Sequence, residues 1–334
     1  MEIWVLGALG RTGRAITAEL ERRGLPAVLV GRSRERLDAT GAKFVVADGA
    51  EAIAAEIRRQ RPTVVINTIG EYAATAPAIA RACLPGGHYV DMAADLVAVR
   101  RLLDLHDEAL AGGSTFVTGA GFGVLATEAV VAKLCEGRDT PSRVQVDALA
   151  SVAIKEGAVG VALAASIVDG VTAVSARGAS PRTLVLPDGE SAKVAGIDSG
   201  ELIAAQRASG APDVTVFSGL APTAPVVRAL LPLLGRLVSI PAVRRFAVRR
   251  LAAVRTKSAP RPRTHTWGHA IVTWPGGATR EGWLRADEAM DFTAGVVGET
   301  AARLARGEGK PGAHTPASAL GADVAEAAGG TFLL

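Results

Sequence analysis

The sequence is poor in cysteine and in aromatic residues. Cys83 and Cys135 are the two cysteines in 334 residues, and thiols so far apart in sequence form neither a metal knuckle nor a disulfide framework. We interpret both as reduced core residues. Aromatic residues make up only 4% of a chain that is 49% hydrophobic. The apolar content is therefore mainly Ala, Val and Leu, which is typical of helices packed on a parallel sheet.

Long apolar runs and a secretory leader are also missing. No window of ~18 uncharged apolar residues occurs, so a membrane-spanning helix is not expected. The nearest candidate, 226–240, is interrupted by Arg228, Pro232 and Arg236. The first residues carry no basic region or small-residue cleavage site of the secretory kind, which predicts a cytosolic (cytoplasmic) protein.

Acidic residues are missing from one long segment. No Asp or Glu lies between Asp213 and Glu281, although the net charge is only +4. The basic residues of this segment are Arg228, Arg236, Arg244, Arg245, Arg249, Arg250, Arg255, Lys257, Arg261, Arg263 and Arg280. A local positive face attracts anions. We therefore expect contact with a phosphate, an acidic carrier protein or an anionic membrane, and no nucleic-acid partner.

Within this segment, residues 242–255 have the periodicity of an amphipathic helix. The apolar arc of the helix holds Val243, Phe246, Ala247, Leu251 and Val254. An apolar arc opposite arginines is typical of a helix that lies in a membrane interface. It is also typical of a helix that packs on its own domain and exposes its arginines to solvent.

The first 120 residues alternate short apolar runs with helical patterns, as βαβ units do. The predicted strands span residues 2–6, 27–30, 43–46, 63–67, 88–92 and 114–117, and the predicted helices span 11–23, 50–59, 75–83 and 96–111. Six short strands joined by helices predict a doubly wound parallel sheet.

From about residue 143 the pattern changes. Residues 144–149 alternate in the manner of a strand with one solvent-facing side. We therefore predict an α/β protein, in which a Rossmann doubly wound parallel sheet carries an inserted α+β second domain. The predicted parts are a dinucleotide-binding domain at 1–125, a substrate and dimerisation domain at 126–300, and a C-terminal helix segment at 301–334 that returns to the Rossmann domain. The last helix is predicted to start with Thr315 as N-cap and Pro316 at its first position.

A glycine motif follows the first predicted strand directly and opens a helix. Its cofactor-binding residues are Gly7, Gly10, Arg11, Thr12 and Gly13. Gly7 permits a tight turn, Gly10 lets the backbone approach a pyrophosphate, and Gly13 allows close packing of helix on strand. The helix N-terminus adds free N–H donors and a positive dipole. This motif therefore predicts a dinucleotide site.

The residue that follows the second strand selects the cofactor. An NAD enzyme usually has an acid there, but this chain has Arg32 followed by Ser33. A guanidinium can bind the 2′-phosphate of NADP(H) in a bidentate manner, so NADP(H) is the expected cofactor unless Arg32 is only a solvated surface residue. Asp48, after the third strand, either caps the adenine region or forms a turn.

Several enzyme classes are excluded by missing motifs. The short-chain dehydrogenases need a Tyr with a Lys four residues on, but Tyr72 and Tyr89 are followed at that spacing by Ala76 and Ala93. No nucleophile elbow, zincin helix or Walker loop occurs. His265 and His269 would lie about 13 Å apart along a strand, too far to share a zinc ion. With Trp267 they predict either a packed sheet face or the lining of a substrate pocket, and we expect no metal.

The sequence resembles the saccharopine dehydrogenase-like (saccharopine reductase) family, which includes bacterial trans-acting enoyl reductases. The likeness lies in the glycine motif with Gly31 and Arg32, in residues 64–72 running on to His88-Tyr89-Val90-Asp91, in Gly119-Ala120-Gly121-Phe122, and in residues 311–321. Three positions differ, because the family usually has Pro where Glu71 stands and a Gly-Glu pair where this chain has Ala94-Asp95.

This resemblance implies an NAD(P)-dependent reductase of a C=N or C=C bond. It implies a nicotinamide near the loop after the fourth strand and near the Gly121–Phe122 loop. The residues concerned are Asn67, Ile69, Gly70, Gly121 and Phe122.

Hydride transfer also needs a proton donor and an anchor for the substrate. Tyr72 follows the fourth strand, where open α/β sheets bind ligands, and its phenol either protonates the product or packs as a half-buried aromatic. Asp91, which matches a family position, either orients an amine or caps a helix. Lys155 either anchors an anionic substrate or is solvated.

Three classes of function remain open. The first is a cytosolic NADPH-dependent reductase, expected to be a homodimer, that acts on a small-molecule or acyl-carrier-bound enoyl thioester, imine or opine-type amine. The second is a non-catalytic Rossmann sensor that binds NADP(H) and reports redox state to a partner. A peripheral membrane protein that uses the arginine-rich helix is a third possibility.

Overall fold

The computed structural model describes residues 2–154, 156–170 and 180–334. The strands are β1 (Ile3–Leu6), β2 (Ala27–Gly31), β3 (Phe44–Val46), β4 (Val64–Asn67), β5 (His88–Asp91), β6 (Thr115–Val117), β7 (Arg143–Leu149), β8 (Gly157–Ala158), β9 (Arg182–Val185), β10 (Ser191–Gly196), β11 (Asp213–Ser218), β12 (Arg255–Thr256), β13 (Thr266–Thr273), β14 (Thr279–Ala286), β15 (Gly312–His314) and β16 (Thr331–Leu333). The helices are α1 (Arg11–Arg22), α2 (Arg34–Asp38), α3 (Gly49–Gln60), α4 (Tyr72–Ala82), α5 (Leu96–Leu103), α6 (His106–Ala111), α7 (Phe122–Cys135), α8 (Val161–Gly170), α9 (Gly200–Ser209), α10 (Pro225–Val238), α11 (Pro241–Ala252), α12 (Ala289–Ala305), α13 (Pro316–Leu320) and α14 (Val324–Ala327).

The first sheet is parallel throughout and has the strand order β15-β6-β5-β4-β1-β2-β3. The central strand β1 is apolar along its whole length because helices cover both faces of the sheet. In β1, Trp4 and Leu6 face the core under α3, α4 and α5, while Ile3 and Val5 face the core under α1 and α12. The strand order reverses between β1 and β4, so their carboxyl ends open a crevice of the kind that binds nucleotides.

The second sheet is mixed, with the order β16-β14-β13-β7-β11-β10-β9. Strands β7 and β11 run parallel, and the other neighbours are antiparallel. Helix α7 lies tightly on this sheet, since a Cβ added at Gly268 of β13 would come within 2.6 Å of the Ala126 side chain. The predicted fold class, a doubly wound sheet with an inserted α+β part, is confirmed.

The chain passes between the two sheets more than once. Helix α7 leads from the first sheet to the second, β15 returns to the edge of the first, and β16 ends at the edge of the second. Helices α7 and α12 run across the predicted boundaries at 125 and 300. The division into 1–125, 126–300 and 301–334 therefore stays a prediction.

Strand β7 corrects one sequence-based expectation. The strand was expected to have a solvent-facing side, but it lies in the interior of the second sheet, paired with β11 and β13. On the side of β7 that was expected to face solvent, Asp147 is fully buried. The alternation in sequence arises because Asp147 is partnered by Arg182 and His269, not because it faces water.

The last predicted helix also differs from expectation. Thr315 and Pro316 do occupy the N-cap and first helical positions of α13, but the Thr315 side chain does not cap the helix. Its hydroxyl donates to the carboxylate of Glu128 in α7. The same carboxylate accepts the backbone N–H groups of Ala317 and Ser318, at 3.0 and 3.1 Å. Glu128 therefore caps α13 from a neighbouring helix.

A small helical appendage is formed by α8, α10, α11 and the β8–β12 ribbon. Its own apolar cluster contains Val159, Ala164, Ala165, Val168 and Val248. Of the arc predicted for residues 242–255, Ala247 and Leu251 pack partly against this cluster, but Phe246 and Val254 are exposed. The residue that α11 buries is Val248, which the predicted arc omits.

Candidate dinucleotide site

The turn between β1 and α1 has the geometry that the glycine motif predicts. Gly7 has a φ of +71°, and its N–H donates to the Val30 carbonyl of β2 at 2.9 Å. A Cβ at Gly13 would lie 2.4 Å from the Gly7 carbonyl oxygen and 2.7 Å from the Ala8 Cα. Because both neighbours are backbone atoms, only glycine allows α1 to approach β1 this closely.

The N-terminus of α1 offers donors to an anion. Gly10 is the N-cap, no side chain caps the helix there, and its first turn carries no acid. The first N–H groups of a helix have no partner within the helix, and the helix dipole favours negative charge at this end. Arg11 is exposed and Thr12 is half-buried in this first turn. The residues present thus fit a pyrophosphate.

The ends of β2 and β3 lie beside this turn in the sheet. Arg32 is exposed directly after β2. The Ser33 hydroxyl accepts the backbone N–H of Arg36 and so caps α2, at 3.4 Å. Asp48 is exposed directly before α3 and makes no side-chain cap there. Among these three, Arg32 provides an exposed positive group at the carboxyl end of β2.

The loop after β4 is held by a buried amide. Asn67 is fully buried, its Nδ2 donates to the Tyr89 hydroxyl at 2.9 Å, and its Oδ1 accepts the Ile69 N–H at 3.0 Å. The chain then turns through two residues with positive φ, Gly70 at +81° and Glu71 at +46°. Asn67 therefore shapes the loop, and the half-buried Ile69 and Gly70 form its accessible surface.

Tyr72 begins α4 directly after this loop. The residue is half-buried and packs against the core between the first sheet and α3, α4 and α5. Burial of the phenol, and then the charge of Asp91, raises the pKa of Tyr72 well above its ordinary value, while the Met92 N–H opposes this shift. The phenol therefore stays protonated at neutral pH, and in that state its O–H group can donate a hydrogen bond.

Asp91 ends β5 and is fully buried. Its carboxylate accepts the hydroxyls of Thr118 and Tyr89 at 2.8 and 3.0 Å, and the backbone N–H groups of Ala93 and Gly119 at 3.0 and 3.3 Å. Burial raises the pKa of Asp91, and these hydrogen bonds oppose that rise. The carboxylate ties the ends of β5 and β6 together. The helix-capping alternative is wrong, because Asp95 is the residue that caps α5, whereas the role of Asp91 toward a ligand stays a prediction.

The Gly121–Phe122 loop is set against α12. The Gly121 N–H donates to the Gly119 carbonyl at 2.7 Å, and the Phe122 N–H donates to the Thr293 hydroxyl at 3.1 Å. Phe122 is buried and packs edge-on against Phe292, with 6.4 Å between ring centroids. Gly121 is half-buried, so it is the member of the pair left to contact a ligand.

Two acidic residues near these loops, Glu71 and Glu201, make contacts that the sequence did not reveal. Glu71 pairs with Arg244 of α11, with 3.0 Å between Oε1 and the guanidinium. Glu201 of α9 is buried against Gly123, in the first turn of α7, and burial raises the pKa of its carboxyl. No motif marks either residue, because each contact joins distant parts of the chain. Lys155 lies outside the described residues.

His269 of the second sheet lies in a separate cluster of polar and aromatic side chains. His269 is fully buried, and its ring nitrogens lie 2.8 Å from Asp147 and 3.0 Å from Glu281. Its ring stacks on Trp283 with 3.8 Å between centroids. The sequence left open whether this face of the sheet is packed or lines a substrate pocket, and the contacts of His269 match a packed face. Within the described residues, no group of three or more His, Cys, Asp or Glu is arranged to hold a metal ion.

The fold defines the class of protein, a Rossmann-fold protein whose inserted part is built on a mixed sheet. No protein-family model matches the chain. A saccharopine dehydrogenase (L-Glu forming) from Saccharomyces cerevisiae has the same overall fold, with a TM-score of 0.59 over 100% of both chains and 11% sequence identity. In sequence, the chain is 31% identical to a trans-acting enoyl reductase of Mycobacterium leprae (strain TN) over 135 residues.

That alignment covers 36% of this chain, and the chain spans about a third (32%) of the length of the relative. The structural likeness, at 11% identity, shows a shared fold, and the sequence likeness is confined to the 135 aligned residues.

Proposed function

We propose that the protein is an NADP(H)-dependent reductase of a C=C (enoyl) or C=N (imine) bond. The observation that carries this proposal is the β1–α1 turn. Gly13 brings the helix N-terminus to the switch point of the sheet at a distance that no other residue allows. An uncapped helix N-terminus at that point is suited to a dinucleotide pyrophosphate.

The type of reaction is supported by the comparisons. Both the structural neighbour and the sequence relative are named as oxidoreductases of the dehydrogenase or reductase type, and such enzymes commonly use a nicotinamide cofactor. A bound dihydronicotinamide supplies a hydride. The chain then has to orient the substrate, exclude water and deliver a proton.

The preference for the phosphorylated cofactor is supported by the charge at the end of β2. Arg32 is exposed there, directly after Gly31, at the place where an NAD enzyme usually has an acid that holds the ribose hydroxyls. A guanidinium matches a phosphate with two parallel hydrogen bonds. Asp48 stands after the next strand and would contact the adenine side of the nucleotide.

For the proton, the arrangement favours Tyr72. It is half-buried at the carboxyl end of β4, directly after the loop that Asn67 shapes. Asp91 and Asn67 are positioning residues in this proposal, because their polar atoms are used to shape the surrounding loops. The cytosolic location, the homodimer and a carrier-bound substrate remain further parts of the hypothesis.

The test is a spectrophotometric assay of NADPH oxidation with panels of enoyl thioesters and imines. The proposal expects turnover with one panel and slower turnover with NADH. Tight NADPH binding without turnover on either panel would contradict it and would favour the sensor function.

Tyr72→Phe keeps the packing of the ring, so it should lower kcat by about 10²–10⁴-fold without weakening NADPH binding. Unchanged kcat in this variant would remove Tyr72 from the proposed chemistry.

A further inference from the structure

Helix α10 carries an apolar stripe that faces away from the protein. The exposed side chains of the stripe are Val226, Val227, Leu230, Leu233, Leu234, Leu237 and, just beyond the helix, Ile240. At 100° per residue they fall within a stripe roughly 140° wide. Val226 is 73% exposed and Leu233 57% exposed, whereas Leu231 on another face of the helix is 4% exposed.

Such a stripe is unusual on the surface of a soluble domain. Single exposed apolar residues are normal, but contiguous patches mark places where something binds. The neighbouring helix α11 adds Phe246, which is 62% exposed with Arg250 placed over its ring at 5.4 Å. The core of the appendage is completed without the stripe, because Val248 of α11 packs on α8 instead.

The charge around the stripe identifies the type of partner. No acid occurs from residue 214 to residue 280, and Arg236, Arg245 and Arg249 are exposed on the two helices. A row of long aliphatic side chains beside arginines complements a bilayer surface with anionic headgroups. The lipid acyl chains contact the aliphatic side chains, and the headgroup phosphates pair with the arginines. An acidic protein would use the arginines but would leave most of the stripe without an apolar partner.

We propose that α10 and α11 form a docking surface for a membrane that contains anionic lipids. Among the described helices, none alone is long and apolar enough to cross a bilayer, and the one pair that meets that requirement together, Val226–Val238 with Pro241–Ala252, is bent by 114°. In this proposal the pair lies along the membrane surface, with the α10 stripe in the acyl region and the arginines at the headgroups. This surface does not depend on the reaction proposed above.

The docking surface is linked to the loop that follows β4. Arg244 of α11 pairs with Glu71, which directly precedes Tyr72. Docking through the helical pair would therefore hold the loop after β4, and with it the carboxyl edge of the first sheet, close to the bilayer.

The apolar part is tested by sedimentation of the full chain with vesicles of phosphatidylglycerol and phosphatidylcholine, compared with vesicles of phosphatidylcholine alone. The wild type should sediment with the first and not with the second. Replacing Leu230, Leu233 and Leu237 by Ser should weaken binding by at least tenfold. A control variant with Ser at Val97, Leu110 and Val185, which are equally exposed elsewhere, should bind as the wild type does. Circular dichroism checks that both variants are folded.

The charged part is tested in the same assay. Replacing Arg236, Arg245 and Arg249 by Gln should weaken binding by about fivefold per arginine, and added salt should reduce the difference. Gln at Arg58, Arg100 and Arg285, which are exposed on other elements, should leave binding unchanged.

Three outcomes would overturn the proposal. The first is a wild type that does not sediment with anionic vesicles. The second is an equal loss of binding in the test and control variants. The third is size-exclusion chromatography in which the Ser variant of α10 converts a stable oligomer to a monomer, because a second copy of the chain would then cover the stripe.

Discussion

The first sheet and the helical pair of α10 and α11 use similar apolar residues in opposite ways. Every residue of β1 is at most 2% exposed, whereas α10 leaves Leu230, Leu233 and Leu237 between 44% and 57% exposed. In the sheet, the apolar side chains are satisfied within the chain, so they stabilise the fold. On α10 they contribute little to folding, and we infer that they serve contact with something outside the chain.

The largest expected effect tests this contrast with one substitution in each region. Leu20→Ala removes a fully buried side chain of α1 and should lower the free energy of unfolding by about 2–5 kcal/mol. Leu233→Ala on α10 should change it by less than about 0.5 kcal/mol. Urea denaturation measures both. A similar loss in the two variants would mean that the stripe is part of the core and would break the comparison.

The buried carboxyl of Glu128 makes the free energy of unfolding depend on pH. Burial raises the pKa of Glu128 to about 7, and its hydrogen bonds to Thr315, Ala317 and Ser318 oppose that rise. The same carboxyl ionises near 4.5 in the unfolded chain. Ionisation therefore favours the unfolded state as the pH rises through this window, so stability is full below about pH 4.5, falls by roughly 3 kcal/mol, and levels off above about pH 7.

Glu128→Gln should remove this component of the pH dependence, because the amide does not titrate. The exposed Glu51→Gln should leave the pH dependence as in the wild type. Chemical denaturation at pH 4.5, 6 and 8 measures all three proteins. If the Glu128 and Glu51 variants have the same pH dependence, the carboxyl of Glu128 is not the group that titrates.

The smallest expected effect on stability concerns Arg32, an exposed residue that follows β2 of the first sheet. Arg32→Asp should leave the free energy of unfolding nearly unchanged, because Arg32 is exposed. It should weaken NADPH binding relative to NADH by about 10–100-fold, the loss of one charge-assisted contact. Arg58→Asp on α3 is the control and should bind as the wild type does. An unchanged preference in the Arg32 variant would mean that another residue contacts the 2′-phosphate.

Much of the first region could be predicted from the sequence. The six strands from β1 to β6 lie within two residues of their predicted bounds, because apolar runs buried on both faces leave a clear local signal. The conformation of the glycine turn could be predicted because Gly7 and Gly13 are required by local backbone geometry. One predicted helix, 96–111, is in fact two, since the chain turns at Asp104 and Leu105 between α5 and α6.

What the sequence did not reveal depends on contacts between distant residues. Helix α12 was missed because Phe292, Val296 and Leu304 belong to a helix that is buried on nearly all sides, so its apolar residues show no helical period. The Arg244–Glu71 pair joins residues 173 positions apart. In the second sheet, Asp147 and His269 have the polar character of surface residues. They are buried because they contact each other and because Arg182 and Glu281 pair with them.

The central claim is that the β1–α1 turn binds a nicotinamide dinucleotide, and isothermal titration calorimetry tests it most directly. The account predicts that NADPH binds the folded wild type more tightly than NADH does. It predicts that Gly13→Val abolishes binding, while Gly219→Ala, whose added Cβ would meet its nearest neighbour at 3.7 Å, does not. A folded wild-type protein that takes up neither dinucleotide would contradict the account.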